Sequence, residues 1–345
     1  MRIVVVGATG NLGTAVLRRL AAVRAEGTSV EVVGIARRLP DLRADPYGTA
    51  VWHAVDIGAP DAVDQLAAVF RSADAVVHLG WALQPTHDIP AQYRTNVTGT
   101  ANVLEAVARV GVPQVVVASS VGAYRGVDVD GKRTPVDEEF PVTGIPTATY
   151  SIHKAENEAA MDAFAARHPE VVVTRLRPGL VFQRSAAAEL RGLFLGRLVP
   201  MSIVRWIRWA VLPLPLPFVF QAVHADDVAD AFWRAIDRRA GGAFNIAATP
   251  VLNPPRMARA FGMLGAIRAP MWLIRGLVTL TWRLRLQPTD AGWVDIAAQV
   301  PIMRTDRARS VLGWEARHTS EEALRELVAG FADGARVPGS GPLSG

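Results

Sequence analysis

Tyr150 and Lys154 are the side chains of this sequence best suited to proton transfer. They are four positions apart in a predicted helix, so the phenol and the ammonium project from the same helix face. A free phenol, with a pKa of about 10, is a poor acid or base near neutral pH, and a neighbouring cation makes it more acidic. A pKa change of about three units corresponds to about 4 kcal/mol. The pair is a candidate general acid or base, although an ordinary solvated helix face often has the same spacing.

A serine pair precedes this helix. Ser119 ends the predicted strand 114–119, and Ser120 follows it. In a parallel sheet Ser120 would lie at the carboxyl edge, where its hydroxyl could hydrogen-bond the substrate oxygen that Tyr150 protonates. The alternative is a serine-rich turn without a chemical role.

A glycine-rich turn separates the first predicted strand from the first predicted helix. Gly7 allows a sharp turn, Gly10 leaves the backbone open to a phosphate, and Gly13 lets the helix lie close to the sheet. The helix N-terminus then offers N–H groups to an anion. The turn predicts a site for a dinucleotide pyrophosphate, with Gly-x-x-Gly-x-x-Gly as a variant of the common spacing. It reads Gly7-Ala8-Thr9-Gly10-Asn11-Leu12-Gly13.

Alternating strand and helix patterns place these residues in one α/β fold. Short apolar runs predict strands, and stretches with helical periodicity lie between them. Buried parallel strands joined by right-handed crossovers give a doubly wound, mostly parallel sheet of the Rossmann type. The predicted strands are 2–6, 29–36, 75–79, 114–119 and 171–177, and the predicted helices are 15–24, 61–70, 89–110 and 150–167.

The pattern changes after Pro178, where Leu, Trp and Pro become frequent. We expect residues 1–178 to form the dinucleotide-binding Rossmann domain. Residues 222–248 would complete it, with a helix at 222–239 and a strand at 242–247. A smaller, mainly helical substrate lobe, made of residues 179–221 and 249–336, would cover the carboxyl edge of the sheet. The Gly-, Pro- and Ser-rich tail 337–345 is expected to be disordered.

Composition excludes several kinds of site. The 345 residues include no cysteine, which excludes disulfides, thiol nucleophiles and thiolate metal sites. The net charge is +5, but the cations are scattered among acidic residues, which argues against nucleic acid binding. The seven histidines lack the spacing of metal ligands, so we expect no metal. Only two of the 37 basic residues are lysines, Lys132 and Lys154, and each therefore calls for a specific reason.

Together these motifs resemble the extended short-chain dehydrogenase/reductases, also called the NAD-dependent epimerase/dehydratase family, over most of residues 1–250. The resemblance implies that Tyr150 gives or takes a proton and that Ser120 holds the substrate oxygen. Lys154 would bond the nicotinamide ribose and lower the Tyr150 pKa. Asn96 would bond the backbone and a water near the active site. Hydride would pass to or from C4 of the nicotinamide.

The resemblance also implies a set of coenzyme-binding residues. Asp56 would contact the adenine, and Pro178 would lie beside the nicotinamide amide. Besides Lys154, the expected set is Gly7, Thr9, Gly10, Asn11, Leu12, Gly13, Arg37, Arg38, Asp56, Ile57, Leu79, Gly80, Trp81 and Pro178.

The end of the second predicted strand favours NADP(H) over NAD(H). NAD-dependent dehydrogenases place an acidic residue there to bond the ribose 2′-hydroxyl. This sequence has Ala36 at that position, followed by Arg37 and Arg38, which suit a 2′-phosphate. NAD(H) is the alternative if these arginines belong to a solvated loop.

Three classes of function remain. The first is an NADP(H)-dependent reductase or dehydrogenase that interconverts a carbonyl and a secondary alcohol, and the Trp- and Leu-rich lobe favours a small lipophilic or aromatic substrate. The second is a nucleotide-sugar epimerase or dehydratase, although Val121-Gly122 replaces the Asp-Glu pair of the family's 4,6-dehydratases. The third is a non-catalytic dinucleotide-binding sensor. For the second class, the candidate diphosphate ligands are Arg184, Arg191, Arg197 and Arg268.

The expected partner is a small-molecule substrate. Arginines and prolines interrupt both apolar regions, so we expect no transmembrane segment, whereas residues 203–211 leave peripheral membrane contact open. The family often forms a homodimer through helices that correspond to 89–110 and 150–167, but the sequence leaves the oligomeric state open. Because no signal-like segment precedes the first strand, we expect a cytoplasmic protein.

Overall fold

A computed structural model describes residues 1–83, 86–187, 211–287 and 289–335 of the chain. Its centre is a seven-stranded parallel sheet with the order β10-β6-β5-β4-β1-β2-β3. The doubly wound α/β fold expected from the sequence is therefore confirmed. The strands of this sheet are β1 (Arg2–Val6), β2 (Glu31–Ala36), β3 (Val51–Ala54), β4 (Ala75–His78), β5 (Gln114–Ala118), β6 (Val172–Pro178) and β10 (Gly242–Ile246).

Helices cover both faces of this sheet. The described α-helices are α1 (Asn11–Ala25), α2 (Ala62–Phe70), α3 (Ile89–Tyr93), α4 (Gly99–Val110), α5 (Thr149–Arg167), α6 (Ala225–Asp237), α7 (Pro254–Ala260), α8 (Met271–Arg283), α9 (Gly292–Gln299), α10 (Asp306–Leu312) and α11 (Ser320–Asp333). Helices α1, α6 and α10 pack on one face, and α2, α4 and α5 pack on the other. Ile3, Val4 and Val5 are completely buried for this reason, which explains the uninterrupted apolar run of β1.

The structure differs from the predicted elements in several places. Strand β3 was not predicted, because this short edge strand is partly exposed and gives only a weak apolar signal. The predicted helix 222–239 begins instead with a strand, β9 (Ala222–His224), and α6 starts only at Ala225. The predicted helix 89–110 contains a π-helical turn at Arg94–Thr98 between α3 and α4.

A third apolar cluster lies beyond the carboxyl edge of the sheet and joins α5 and the β5–α5 connection to the C-terminal helices. Two short parallel pairs accompany it: β7 (Leu180–Phe182) with β9, and β8 (Val211–Leu214) with β11 (Gly265–Arg268). The division into a Rossmann domain and a substrate lobe stays a prediction. The expected amphipathic segment at 203–211, apart from its last residue, and the tail 337–345 lie outside the described residues.

The structure gives a reason for one of the two lysines of the sequence, Lys132. Its ammonium is buried and donates hydrogen bonds to the carbonyl oxygens of Pro217 (2.9 Å), Val219 (2.6 Å) and Ala297 (3.2 Å). Lys132 thereby joins two other segments, residues 217–219 and helix α9, to its own. In the described part of the chain, no helix combines the length and the apolar character needed to cross a bilayer.

Candidate active site

The glycine turn has the geometry that the sequence predicts. Gly7 has a positive φ of 82°, and a Cβ at this position would lie 2.7 Å from the backbone nitrogen of Gly80. A Cβ on Gly13 would lie 2.7 Å from Ala8, so α1 and the turn can be this close only with glycine there. A Cβ on Gly10 would meet only the Gly7 carbonyl, at 3.5 Å. The backbone at Gly10 is therefore open on its outer side.

The start of α1 faces this opening. Gly10 is the N-cap, and no side chain caps the helix, which leaves N–H groups of its first turn free to bind an anion. Thr9 lies in the turn, and Leu12 packs against the core below it. Gln183 holds the turn in place, because its amide nitrogen donates to the Asn11 carbonyl at 2.9 Å. These residues fit a pyrophosphate group.

Strand β2 ends at Ala36, beside the glycine turn. Gly7 donates its N–H to the Ile35 carbonyl at 2.9 Å, so the residues that follow β2 emerge next to the turn. Arg37 and Arg38 are exposed, and neither forms an ion pair with any residue that the structure describes. Both guanidinium groups are thus available to a ligand at this edge.

Asp56 and Ile57 follow β3 at the same edge. Asp56 is exposed, and its Oδ1 accepts a hydrogen bond from the Gly58 N–H at 3.0 Å. Ile57 is buried against the end of β4, where a Cβ on Gly80 would lie 2.9 Å from its Cδ1. Leu79 is partly buried beside Gly80. The expected adenine-binding loop therefore adjoins the end of β4.

Ser120 and Tyr150 meet at the end of β5. Ser120 is buried and caps the short 3₁₀ turn Val121–Ala123, accepting the Gly122 N–H at 3.0 Å. Tyr150, the second residue of α5, lies close to Ser120, because a Cβ on Gly122 would be 2.9 Å from Tyr150 Cε1 and 3.4 Å from Ser120 Oγ. Burial raises the pKa of Tyr150 to about 12, and the nearby Ser120 hydroxyl only partly opposes this effect. In the protein alone, Tyr150 is a protonated phenol at neutral pH.

Lys154 lies one helical turn below Tyr150 and is buried. Its ammonium donates to the Ala118 carbonyl at 2.8 Å and lies 3.6 Å from the centre of the Trp81 ring. Burial lowers the pKa of Lys154 to about 7, although Glu158 opposes the shift. The expected lowering of the Tyr150 pKa by Lys154 is not seen in the protein alone: burial acts more strongly, and the ammonium is 5.9 Å from the centre of the phenol ring.

Trp81 connects these two residues. Its ring makes an edge contact with Tyr150, with 5.5 Å between the ring centres, while its face carries the Lys154 ammonium. The indole N–H is buried and has no hydrogen-bond partner among the described residues. Trp81 therefore forms a wall of the site, and its indole N–H is a donor without an acceptor among the described residues.

Asn96 lies behind this wall. It is completely buried in the π-helical turn, and its side-chain oxygen accepts the Ala82 N–H at 2.6 Å. Its side-chain nitrogen donates to the Ala82 carbonyl at 3.3 Å. Asn96 thus bonds the backbone directly after Trp81.

A buried ion pair supports Ser119 from below. Arg177 donates to both carboxylate oxygens of Glu158, at 2.8 and 2.9 Å, and the Ser119 hydroxyl donates to Glu158 at 2.5 Å. These bonds lower the pKa of Glu158 against the effect of its burial. Pro178 follows Arg177 at the end of β6 and pairs with Ile246 of β10. The ion pair was not predicted, because the sequence gives no sign that α5 and β6 meet here.

A pocket opens on the other side of Tyr150. The centre of the Trp293 ring lies 5.1 Å from that of Tyr150. Helix α9 can approach this closely because a Cβ on Gly292 would lie 2.7 Å from the Thr147 carbonyl. Burial raises the pKa of the Asp290 carboxyl. The pocket is lined by Thr86, Ile89, Gln92, Ala148, Thr149, Tyr150, Asp290, Gly292, Trp293 and Ile296.

Comparison with known proteins identifies the family. The model of the "NAD dependent epimerase/dehydratase family" matches residues 3–247, which is more than half of the chain. The chain belongs to this family. The resemblance expected from the glycine turn, Ser120, Tyr150 and Lys154 is therefore confirmed. The sheet and the glycine turn form the family's NAD(P)-binding fold.

The relatives and solved structures described next match almost the whole length of this chain. An uncharacterised protein of Mycobacterium tuberculosis is 25% identical over 330 residues, which are 95% of this chain and 30% of that protein. The chain thus spans about 30% of the length of the curated relatives it matches first. UDP-glucose 4-epimerase of Thermotoga maritima, with UDP-glucose, has a TM-score of 0.70 at 20% identity, covering 97% of this chain and 99% of that chain. UDP-glucose 4-epimerase of Thermus thermophilus, in complex with NAD, has a TM-score of 0.66 at 19% identity, covering 96% of this chain and 99% of that chain.

Within the family fold, the structure brings Ser120, Tyr150 and Lys154 together and places the expected coenzyme residues along the same sheet edge. The candidate diphosphate ligands are placed less favourably. Arg184 forms an ion pair with Asp333, and Arg268 is exposed in β11. Arg191 and Arg197 lie outside the described residues.

Proposed function

We propose that this chain is an NADP(H)-dependent reductase or dehydrogenase that interconverts a carbonyl and a secondary alcohol on a small lipophilic or aromatic substrate. The observation that carries this proposal is the position of Tyr150: it lies close to Ser120 and contacts the rings of both Trp81 and Trp293. A proton donor is thereby placed in an aromatic enclosure.

In the reductive direction, the reduced nicotinamide supplies a hydride to the carbonyl carbon. The Ser120 hydroxyl would donate a hydrogen bond to the carbonyl oxygen. The Tyr150 phenol would then give its proton to that oxygen as negative charge develops there. Lys154 would hold the ribose hydroxyls and stabilise the resulting phenolate, because a compact ammonium fits between these groups better than a forked guanidinium does.

The lining of the pocket supports an uncharged substrate. Trp293, Ile89 and Ile296 supply apolar surface, and no lysine or arginine is among the lining residues that the structure describes. The Asp290 carboxyl already accepts a hydrogen bond from the Gly292 N–H at 2.8 Å. A pocket of this kind suits a lipophilic or aromatic molecule that carries few polar groups.

NADP(H) is the proposed coenzyme. Ala36 takes the position where an acidic residue would bond a ribose 2′-hydroxyl, and it offers no oxygen to do so. Arg37 and Arg38 follow immediately and are exposed without ion-pair partners in the described ranges. Two guanidinium groups at this edge favour a 2′-phosphate.

A nucleotide-sugar 4-epimerase is the second candidate, which the similarity to two UDP-glucose 4-epimerases favours. An epimerase would need cations for the diphosphate of its substrate. Arg268 is exposed and is available for that purpose.

Turnover assays with the wild-type protein and Tyr150→Phe test the proposal. A panel of aldehydes and aromatic ketones would be offered with NADPH or NADH, and sterols and UDP-sugars would be offered with NADP⁺ or NAD⁺, because their alcohol carbon must give up a hydride. We expect NADPH oxidation with an apolar carbonyl compound, and Tyr150→Phe should lower kcat by about 100-fold or more while NADPH affinity stays within about twofold. Tyr93→Phe is the matched control, because Tyr93 is exposed and lies outside the pocket lining.

Three outcomes would overturn this assignment. Undiminished turnover in Tyr150→Phe would show that Tyr150 is not the proton donor. Interconversion of UDP-glucose and UDP-galactose without net oxidation or reduction of the coenzyme would select the epimerase. Binding of the coenzyme without turnover of any compound in the panel would favour a non-catalytic sensor.

A further inference from the structure

Helix α8 carries an apolar stripe that the rest of the described protein leaves uncovered. None of its residues is buried. Leu273, Leu277 and Leu280 are 49%, 57% and 55% exposed, and Leu284, directly after the helix, is 60% exposed. Their spacing of three and four residues places them in one row along the helix. Trp272, at the start of the helix, is 74% exposed.

The opposite side of α8 holds the helix on the protein. Arg275 forms a bidentate ion pair with the buried Asp295 of α9, with an Nε–Oδ1 distance of 3.0 Å. The Trp282 ring stacks on His87, with 5.0 Å between the ring centres and 10° between the planes. These contacts fix the orientation of the helix, so the leucine row faces outwards in a defined way.

The surroundings of this row are strongly basic. No Asp or Glu occurs between residues 238 and 289, whereas eight arginines do. Arg268, Arg283 and Arg285 are exposed near the two ends of α8 and form no ion pair within the described ranges. The surface thus combines a row of leucines and a tryptophan with unneutralised cations.

We propose that this face of α8 docks the protein onto an anionic lipid bilayer. Helices that lie in the membrane interface have apolar residues on one face, tryptophan near the boundary and arginine at the edges, as α8 does. The three free arginines complement the negative charge of acidic headgroups. A second copy of the chain fits this face less well, because a two-fold contact would bring the same cations of both copies together. This docking is independent of the reaction proposed above.

Sedimentation with phospholipid vesicles tests this docking. The full chain would be mixed with vesicles of phosphatidylcholine, with and without phosphatidylglycerol. We expect it to sediment with the anionic vesicles, and Leu277→Glu should weaken this binding by about tenfold or more, because it places a charge in the apolar row. Leu42→Glu is the matched control: Leu42 is 54% exposed, lies outside this face and should keep wild-type binding.

A second variant separates the electrostatic contribution. Arg283→Gln combined with Arg285→Gln should lower binding to anionic vesicles and should leave the melting temperature unchanged, because both side chains are exposed. Added salt should have the same effect as these substitutions.

Several outcomes would overturn the proposal. The first is a wild-type protein that does not bind anionic vesicles, and the second is equal binding by Leu277→Glu and Leu42→Glu. A dimer that Leu277→Glu dissociates, in the absence of vesicle binding, would assign the face to a second copy. A lower melting temperature of Leu277→Glu without lipid, again with no vesicle binding, would show that another part of the same chain covers this face.

Discussion

The ring of Tyr150 lies directly against the backbone of Gly122. A Cβ added to Gly122 would come within 2.9 Å of Tyr150 Cε1 and 3.4 Å of Ser120 Oγ. In the family's 4,6-dehydratases an acidic pair follows the active-site hydroxyl. Here the second of these two positions is Gly122, which lets the phenol and the serine hydroxyl reach each other.

Gly122→Ala should therefore reduce turnover and leave the coenzyme site intact. The added methyl group must move the Tyr150 ring, and a small misplacement of a reacting group lowers the rate strongly. We expect kcat to fall by about tenfold or more while NADPH affinity stays within about twofold. Gly265→Ala is the control, because a Cβ there meets no atom within 4 Å. Equal activity of the two variants would show that Tyr150 tolerates the displacement.

Arg37 and Arg38 should determine coenzyme preference. Replacing both by alanine removes two cations from the proposed 2′-phosphate site, so NADPH affinity should fall by about tenfold or more and NADH affinity should change little. Titration calorimetry with both coenzymes measures this. Arg43→Ala, at another exposed arginine of the same loop, controls for the general loss of positive charge. An equal loss for NADH and NADPH would mean that these arginines do not distinguish the two.

Burial of Lys154 should make stability depend on pH. Because burial lowers the pKa of Lys154 to about 7, the unfolded chain binds more protons at this position between pH 7 and about 10. Relative to Lys154→Met, the wild-type free energy of unfolding should rise with pH above 7, by up to about 1.4 kcal/mol per pH unit. Below pH 7 the difference should be constant. Urea denaturation of both proteins at several pH values measures it, and parallel curves from pH 7 to 9 would contradict the shift.

Much of the fold and part of the site could be predicted because their signals are local. The glycine turn, the apolar run of β1 and the Tyr150–Lys154 spacing each lie within a few residues. Ser120 could be added because the carboxyl ends of parallel strands meet at one edge. These residues do converge in the structure.

The other side of the site depends on contacts between distant segments. Trp293 reaches Tyr150 only through the packing of α9 on the start of α5, which the closeness of Gly292 to Thr147 permits. Nothing in the sequence around Trp293 distinguishes it from the other tryptophans of that region. The contact of the Trp81 ring with the Lys154 ammonium could not be predicted from the sequence either, because the sequence indicated only a coenzyme contact for Trp81.

Lys132 should be important for stability and irrelevant to coenzyme binding. Lys132→Met leaves three carbonyl oxygens without their donor, and we expect a loss of about 3 kcal/mol in the free energy of unfolding. NADPH affinity should stay the same, since Lys132 lies outside the expected coenzyme-binding set. Arg133→Met is the matched control, because this neighbour is exposed and, among the described residues, forms an ion pair only with Asp130 at the surface. Equal stability of the two variants would contradict the structural role of Lys132.

The two lysines also provide chemical probes of the folded chain. Lys132 is 7% and Lys154 is 5% exposed, so every lysine amine of the sequence is shielded from solvent. An acylating reagent can react with either lysine amine only after the surrounding structure opens locally. The rate of labelling at Lys132 would then report how often residues 217–219 and α9 separate from it, and the rate at Lys154 would report how often Trp81 moves away from the ammonium.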